Sequence, residues 1–202
     1  MKLPDFGSPW HSARVSQGYD QDRRVGEAVL RRLCLGAELV GMRWDSFPRG
    51  VSLLIDDTTR SKEDPRYRQY SRQRPYGLLG IRVDGKWGLL ESMPAAGASD
   101  ERDIAEKLSE NPTDVSLSQL MHVRTHPITE IRLGMAAAHL IVGFASGQVL
   151  FIQGDHPFHE SWQVYLYQTI TVDPDRLWMM VNTPGGDISI WTPSDFDPNF
   201  DG

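Results

Sequence analysis

The chain has 202 residues, of which 40% are hydrophobic and 24% charged, and its formal net charge is −6 at pH 7. A chain of this length is expected to fold as one domain with a core large enough to need no disulfide or structural metal. Its single cysteine excludes an internal disulfide, and its acidic balance argues against a general nucleic-acid binder and is compatible with a basic partner.

The N-terminal segment gives no sign of export. MKLPDFGSPWHSARVSQGYD is too polar and too rich in Pro and Gly for a signal peptide, and no apolar run approaches the roughly 20 residues that span a bilayer. With one cysteine in the chain, the expected location is the cytoplasm, without a membrane anchor. Residues 1–19 show no clear period and are expected to be irregular.

The first regular element is predicted to be a helix that begins near Asp20. Apolar residues recur at helical spacing from Val25 to Leu33, and Gly36 is suited to end the helix. Cys34 lies in the same apolar run, which predicts a buried, inert thiol.

Two hairpins are predicted next. The strand-like runs 37–44 and 50–55 form the first hairpin. In the second, Asp84-Gly85 lies between two apolar runs and accepts the positive φ angles of a type I′ turn. Residues 56–75, between the two hairpins, are almost wholly polar and predict an exposed charged loop.

A second helix is predicted over 101–108, with Ser99 or Asp100 as its N-cap. The run 115–124 is ambiguous between helix and strand. Further along, short apolar runs alternate with tight turns, one of them at Ser146-Gly147, which predicts an antiparallel meander. The expected fold class is therefore α+β: a single domain over residues 1–202 with a curved antiparallel sheet and about two packed helices.

The stretch GDHPFHESW places metal-binding residue types close together; the candidate ligands are His156, His159, Asp155 and Glu160. The glycine and the proline disfavour a helix, and in a strand the two histidines would face opposite sides. A metal site would therefore need an unusual loop geometry. The simpler interpretation is a turn that leads into a strand and buries Trp162.

Other catalytic signatures are missing from the sequence. There is no Gly-x-Ser-x-Gly elbow and no Gly-rich phosphate loop. Nothing in the sequence places His122, His126 or His139 near residue 156, and His139 is expected to be a satisfied histidine on a sheet. We therefore expect no catalytic residue, no metal and no cofactor, and the alternative is a metal-dependent enzyme that uses residues 155–160.

A second candidate is the arginine- and tyrosine-rich part of the polar loop. Residues 60–75 hold six basic and two acidic side chains, a local charge of +4, so the remainder of the chain carries −10. Arginine with interleaved tyrosine can pair with phosphates and stack on bases, and the same residue types anchor protein interfaces. A solvated loop, a protein partner and a nucleic-acid partner stay open, with nucleic acid least favoured. The candidate residues are Arg66, Tyr67, Arg68 and Tyr70.

One segment resembles a known class of proteins. LIVGFASGQVLFIQGD turns at Ser146-Gly147-Gln148 and is followed by Glu160-Ser161-Trp162-Gln163-Val164. Within Ile131–Val164 this pattern resembles small bacterial proteins from polymorphic-toxin and secretion-system loci. The resemblance implies an immunity protein, which binds and neutralises a cognate toxin without doing chemistry.

The acidic balance agrees with that implication. An acidic protein suits a basic toxin such as a nuclease, because complementary charge speeds encounter and restricts wrong partners. The exposed acidic candidates for this contact are Asp56 and Asp57 and the acidic tail, Asp195, Asp197 and Asp201. The sequence thus predicts an immunity protein that occludes a toxin's active site, and the alternatives are the metal enzyme, a nucleic-acid module built on 60–76, or a structural subunit.

Overall fold

The computed structural model describes residues 19–46, 49–56, 78–108, 114–167, 178–193 and 196–199. Its helices are α1 (Tyr19–Cys34), α2 (Ala98–Lys107) and α3 (Asp114–His122), and α3 continues into a 3₁₀ turn, Val123–Thr125. Its strands are β1 (Glu38–Ser46), β2 (Arg49–Asp56), β3 (Leu78–Val83), β4 (Trp87–Leu90), β5 (Ile128–Leu133), β6 (Leu140–Phe144), β7 (Val149–Ile152), β8 (Trp162–Tyr167), β9 (Met179–Asn182) and β10 (Ile188–Trp191).

The strands form two antiparallel sheets. The six-stranded sheet has the order β1-β2-β3-β8-β9-β10, and the four-stranded sheet has the order β4-β7-β6-β5. The prediction of an α+β fold with a curved antiparallel sheet is confirmed. The ambiguous run 115–124 is helical, so the described residues include one helix beyond the two that the sequence predicts.

The predicted hairpin at Asp84-Gly85 is wrong. β3 pairs with β2 and β8, whereas β4 pairs with β7 in the other sheet. Gly85 does not have a positive φ. The backbone N–H groups of Asp84 and Gly85 both donate to the Ser161 carbonyl at 2.9 Å, so these residues are held against the start of β8 while the chain crosses between sheets. Tertiary contacts override the local turn preference.

The predicted N-cap of the second helix is also wrong. Helix α2 begins at Ala98, its N-cap is Gly97, and no side chain caps it. Ser99 and Asp100 therefore lie in the first turn. There the carboxylates of Asp100 and Glu101 interact favourably with the positive end of the helix dipole.

The main core lies between the sheets and is closed by α1. This helix contacts one edge strand of each sheet, β5 of the four-stranded sheet and β10 of the six-stranded sheet. It approaches most closely at Gly26, where an added Cβ would lie 2.9 Å from the Ile188 side chain and 3.0 Å from that of Leu133. Gly36, two residues after the last residue of the helix, has φ +81, and Cys34 is buried, both as predicted.

Helix α2 covers the outer face of the four-stranded sheet. Along β6 and β7 the side chains alternate between two apolar clusters: Leu140 and Val142 face the main core, whereas Ile141 and Phe151 face α2. The central strands of this sheet are therefore buried on both faces, which is why their sequences are almost continuously apolar. Among the described residues, no helix is long and apolar enough to cross a membrane.

Candidate interaction surface

Three loops from the two sheets meet beside one another. They are the β5–β6 loop (134–139), the β7–β8 loop (153–161) and the β9–β10 turn (183–187). The Ala138 N–H donates to the Gly186 carbonyl at 2.9 Å, and the Gly185 N–H donates to the His156 carbonyl at 3.1 Å. We call these residues the three-loop surface. Its parts are far apart in sequence and are joined by backbone hydrogen bonds.

A buried polar network lies beneath the three-loop surface. The Gly154 N–H donates to His139 Nδ1 at 3.0 Å, and Asn182 Nδ2 donates to the Gly154 carbonyl at 2.6 Å. The Ser161 N–H donates to Asn182 Oδ1 at 2.9 Å. Asn182 is completely buried and His139 nearly so. Because a buried polar group is costly when unpaired, these bonds hold the β7–β8 loop in one arrangement.

The indole of Trp162 ties the same loops to the core. Its side chain is fully buried, and Nε1 donates to the Ala138 carbonyl at 2.7 Å. The prediction that GDHPFHESW is a turn leading into a strand that buries Trp162 is confirmed. His139, predicted to be a satisfied histidine, is buried and hydrogen-bonded.

His156 organises an ordered turn at the tip of the β7–β8 loop. Its Nδ1 accepts the backbone N–H groups of Phe158 at 3.2 Å and His159 at 3.1 Å. The His156 ring stacks on that of His159, with centroids 4.8 Å apart and planes 19° apart. The Phe158 ring meets His156 edge-on, with centroids 6.3 Å apart. Three rings are thus held together on a fixed backbone.

The predicted metal ligands have other contacts in this loop. Asp155 Oδ1 accepts a hydrogen bond from Gln153 Nε2 at 2.7 Å, and Glu160 Oε2 accepts one from Gln163 Nε2 at 2.6 Å. His156 Nδ1 is already an acceptor for two backbone N–H groups. In the part of the chain that the structure describes, no group of three or more His, Cys, Asp or Glu side chains could hold a metal ion.

The three-loop surface combines apolar and acidic side chains. Phe158 is 78% exposed and Met135 is 41% exposed. The exposed side chains of Asp155, Glu160 and Asp187 add three carboxylates, and the sequence of the three loops contains no Lys or Arg. Aromatic side chains and Met are enriched at protein interfaces relative to the rest of the protein surface, so Phe158 and Met135 make this surface a candidate interface.

A second buried contact anchors the β5–β6 loop from α2. Arg132 Nη1 donates to Glu101 Oε1 at 2.7 Å, and the Met135 N–H donates to Glu101 Oε2 at 2.7 Å. On the other side of the loop, the Tyr19 hydroxyl donates to the Gly134 carbonyl at 2.7 Å. Burial raises the pKa of the Tyr19 hydroxyl above its ordinary value, so this donor keeps its proton at neutral pH.

Burial lowers the pKa of the His139 imidazole, while the nearby carboxylates of Asp155 and Glu101 act in the opposite direction. The ordinary value is 6.5. As the pH falls below that value, the unfolded chain takes up a proton that the folded His139 resists. The free energy of unfolding is therefore expected to decrease as the pH falls from 6.5 towards the folded-state pKa, by at most about 1.4 kcal/mol per pH unit from this group.

Denaturant unfolding from about pH 8 to about pH 5 checks this expectation, since that interval spans the titration of histidine. His139→Asn should remove this part of the pH dependence, because an Asn side-chain oxygen can also accept the Gly154 N–H. His122→Asn, at an exposed position on α3, should leave it unchanged. Equal pH dependence in all three proteins would show that His139 is not the responsible group.

Neither of the two acidic candidates that the structure describes, Asp56 and Asp197, lies in the three-loop surface. Strand β8 begins beside the three-loop surface at Trp162, which pairs with Val83 of β3. Val83 in turn pairs with Val51 near the start of β2, so the start of β2 is the end nearer that surface. Asp56 ends β2, five residues beyond Val51, at the opposite end of the six-stranded sheet.

Asp197 lies near that opposite end as well. It is exposed and accepts the Asn199 N–H at 2.9 Å. The neighbouring Phe196 packs against Trp178, just before β9, with centroids 5.2 Å apart. The remaining candidates lie outside the described residues; they are Asp57, Arg66, Tyr67, Arg68, Tyr70, Asp195 and Asp201.

The sequence pattern indicates one of the three loops and gives no signal for the exposed apolar side chains. Phe158 lies within GDHPFHESW, where the two histidines are the stronger chemical signal. Met135 and the 183–187 turn were not singled out, although Gly185-Gly186 marks a tight turn and both glycines have positive φ. No protein-family model, no curated protein and no solved structure matches this chain.

Proposed function

We propose that this protein is an immunity protein that binds a cognate bacterial toxin and neutralises it by occluding the toxin's active site. The observation that carries the proposal is the three-loop surface, where Phe158 is 78% exposed on a loop held by buried hydrogen bonds. Aromatic side chains are enriched at protein interfaces relative to the rest of the protein surface, and burial of this ring against a partner would remove apolar area from water.

The fixed conformation of the three loops favours tight binding. Association is opposed by the loss of side-chain and loop freedom, and a loop already fixed in the free protein loses less. His156 Nδ1 fixes the turn that carries Phe158, and the Gly185 N–H fixes the His156 carbonyl. An aromatic anchor on such a support can supply a large part of the binding energy.

The segment that resembles immunity proteins, Ile131–Val164, contains two of the three loops, 134–139 and 153–161. The surface has three carboxylates and no Lys or Arg. An acidic surface around an apolar anchor suits a basic toxin such as a nuclease, because it can cover the toxin's phosphate-binding side chains.

Co-expression with the toxin encoded beside this gene tests the proposal. The wild-type protein is expected to protect cells from that toxin and to form a stoichiometric complex with it. Phe158→Ala should raise the dissociation constant by about thirtyfold, or about 2 kcal/mol, as truncation of a hot-spot residue does. Isothermal titration calorimetry measures that change.

Met121→Ala is the matched control, because Met121 is 44% exposed but lies on α3, outside the three loops. It should change neither protection nor affinity. If the wild-type protein neither binds nor protects against the neighbouring toxin, the immunity function is wrong. If the complex forms and Phe158→Ala binds as tightly as Met121→Ala, the three-loop surface is not the interface.

A further inference from the structure

We propose that the three-loop surface recognises arginine side chains on a basic protein partner, in preference to lysine. This inference rests on the proposed function and deepens it by naming the chemistry of the partner. The contact would be made by the stacked rings of His156 and His159 together with the carboxylates of Asp155, Glu160 and Asp187.

Charge selects a cationic partner for this surface. Asp155, Glu160 and Asp187 are all exposed, and no Lys or Arg of the three loops competes for them. The hydrogen bonds from Gln153 to Asp155 and from Gln163 to Glu160 come from neutral amides. They orient the carboxylates without neutralising them, so each negative charge can pair with a partner's cation.

The geometry of the rings selects arginine among cations. The His156 and His159 rings stack on each other with planes 19° apart, and because His159 is exposed, the outer face of its ring is open to a partner. A guanidinium group is planar, stacks on aromatic faces and can bind a carboxylate through two parallel hydrogen bonds. A lysine ammonium is a compact, strongly hydrated point charge that lacks the planar stacking. An arginine can therefore combine planar stacking on a ring with bidentate pairing to a carboxylate, whereas a lysine offers neither of these two geometries.

Phe158 adds apolar area beside the rings. Its side chain is 78% exposed and lies edge-on to His156. The aliphatic stem of an arginine can cover such a ring, and its guanidinium can lie over the ring face in a cation–π contact. The hydrogen bonds to His156 Nδ1 already fix the turn. The His156, Phe158 and His159 rings would therefore need no rearrangement of the backbone when the partner binds.

Titration of the ¹⁵N-labelled full-length chain with two peptides of equal charge, a Gly-Arg repeat and a Gly-Lys repeat, tests the inference. We expect the arginine peptide to bind at least about fivefold more tightly, from the stacking that lysine lacks. Amide shifts should concentrate in residues 134–139, 153–161 and 183–187. Asp187→Asn and Phe158→Ala should each weaken the arginine peptide, whereas Asp103→Asn should not.

Asp103 is the matched control because it is exposed on α2 and its substitution changes the net charge by the same amount. Equal affinity for the two peptides, shifts outside the three loops, or an equal effect of Asp103→Asn would overturn the inference. The two proposals can fail separately. Arginine-selective binding without binding of the neighbouring toxin would reject the immunity function alone, whereas a toxin complex without arginine preference would reject this inference alone.

Discussion

Gly154→Ala is expected to destabilise the protein by about 3 kcal/mol or more, the upper range for overpacking a core. An added Cβ would collide with the carbonyl of Ala138 and lie 2.8 Å from the backbone nitrogen of His139. These are backbone atoms, so no side-chain rotation can relieve the collision. The loop would have to move, and the buried bonds from Gly154 to His139 and from Asn182 to Gly154 would lengthen or break.

Urea unfolding followed by tryptophan fluorescence measures this change, with Gly97→Ala as the matched control. Gly97 is the N-cap of α2 with φ −160, and the nearest atom to an added Cβ is 3.8 Å away. Its replacement should change the free energy of unfolding by less than about 1 kcal/mol, the usual scale of an N-cap change. Equal stability of the two variants would mean that the close approach at Gly154 does not constrain the fold.

The elements with a strong sequence period were predictable. Helix α1 follows from the spacing of Val25 to Leu33, and its end follows from Gly36, whose φ is positive. The turn at Ser146-Gly147 also follows from local chemistry, since Gly147 has φ +88. In these cases the residues that determine the structure are neighbours in the sequence.

The errors arise where distant residues decide the structure. Asp84-Gly85 has the composition of a hairpin turn, but its N–H groups bond to Ser161, almost eighty residues away in the chain, and β4 joins the other sheet. No local pattern contains that information. Propensity is a weak guide wherever a long-range hydrogen bond competes with it.

The candidate site was only partly predictable for the same reason. The composition of GDHPFHESW predicts a turn, and the stacking of His156 on His159 depends on residues three apart. The rest of the three-loop surface depends on contacts between Ala138 and Gly186 and between His156 and Gly185. A single sequence shows each of these loops separately and does not show that they meet.

Glu101→Ala is expected to lower the free energy of unfolding by about 3–5 kcal/mol, as removal of one partner of a buried ion pair does. The Glu101 side chain is 1% exposed, and that of Arg132 is 12% exposed. Without the carboxylate, the Arg132 guanidinium would keep its bond to the Pro94 carbonyl but would lie mostly buried without its counter-charge. The Met135 N–H would lose its 2.7 Å acceptor at the same time.

A comparison of three variants separates the buried pair from a general effect of helix α2. Glu106→Ala, at an exposed position of the same helix, should change stability by less than about 0.5 kcal/mol. Replacement of the pair by Glu101→Leu with Arg132→Met should recover most of the loss, because a buried ion pair and an apolar pair of similar size are often equally stable. If the double variant were as unstable as Glu101→Ala, the loss would come instead from the Met135 N–H. Glu101 would then act mainly by holding the loop that carries Met135 at the three-loop surface.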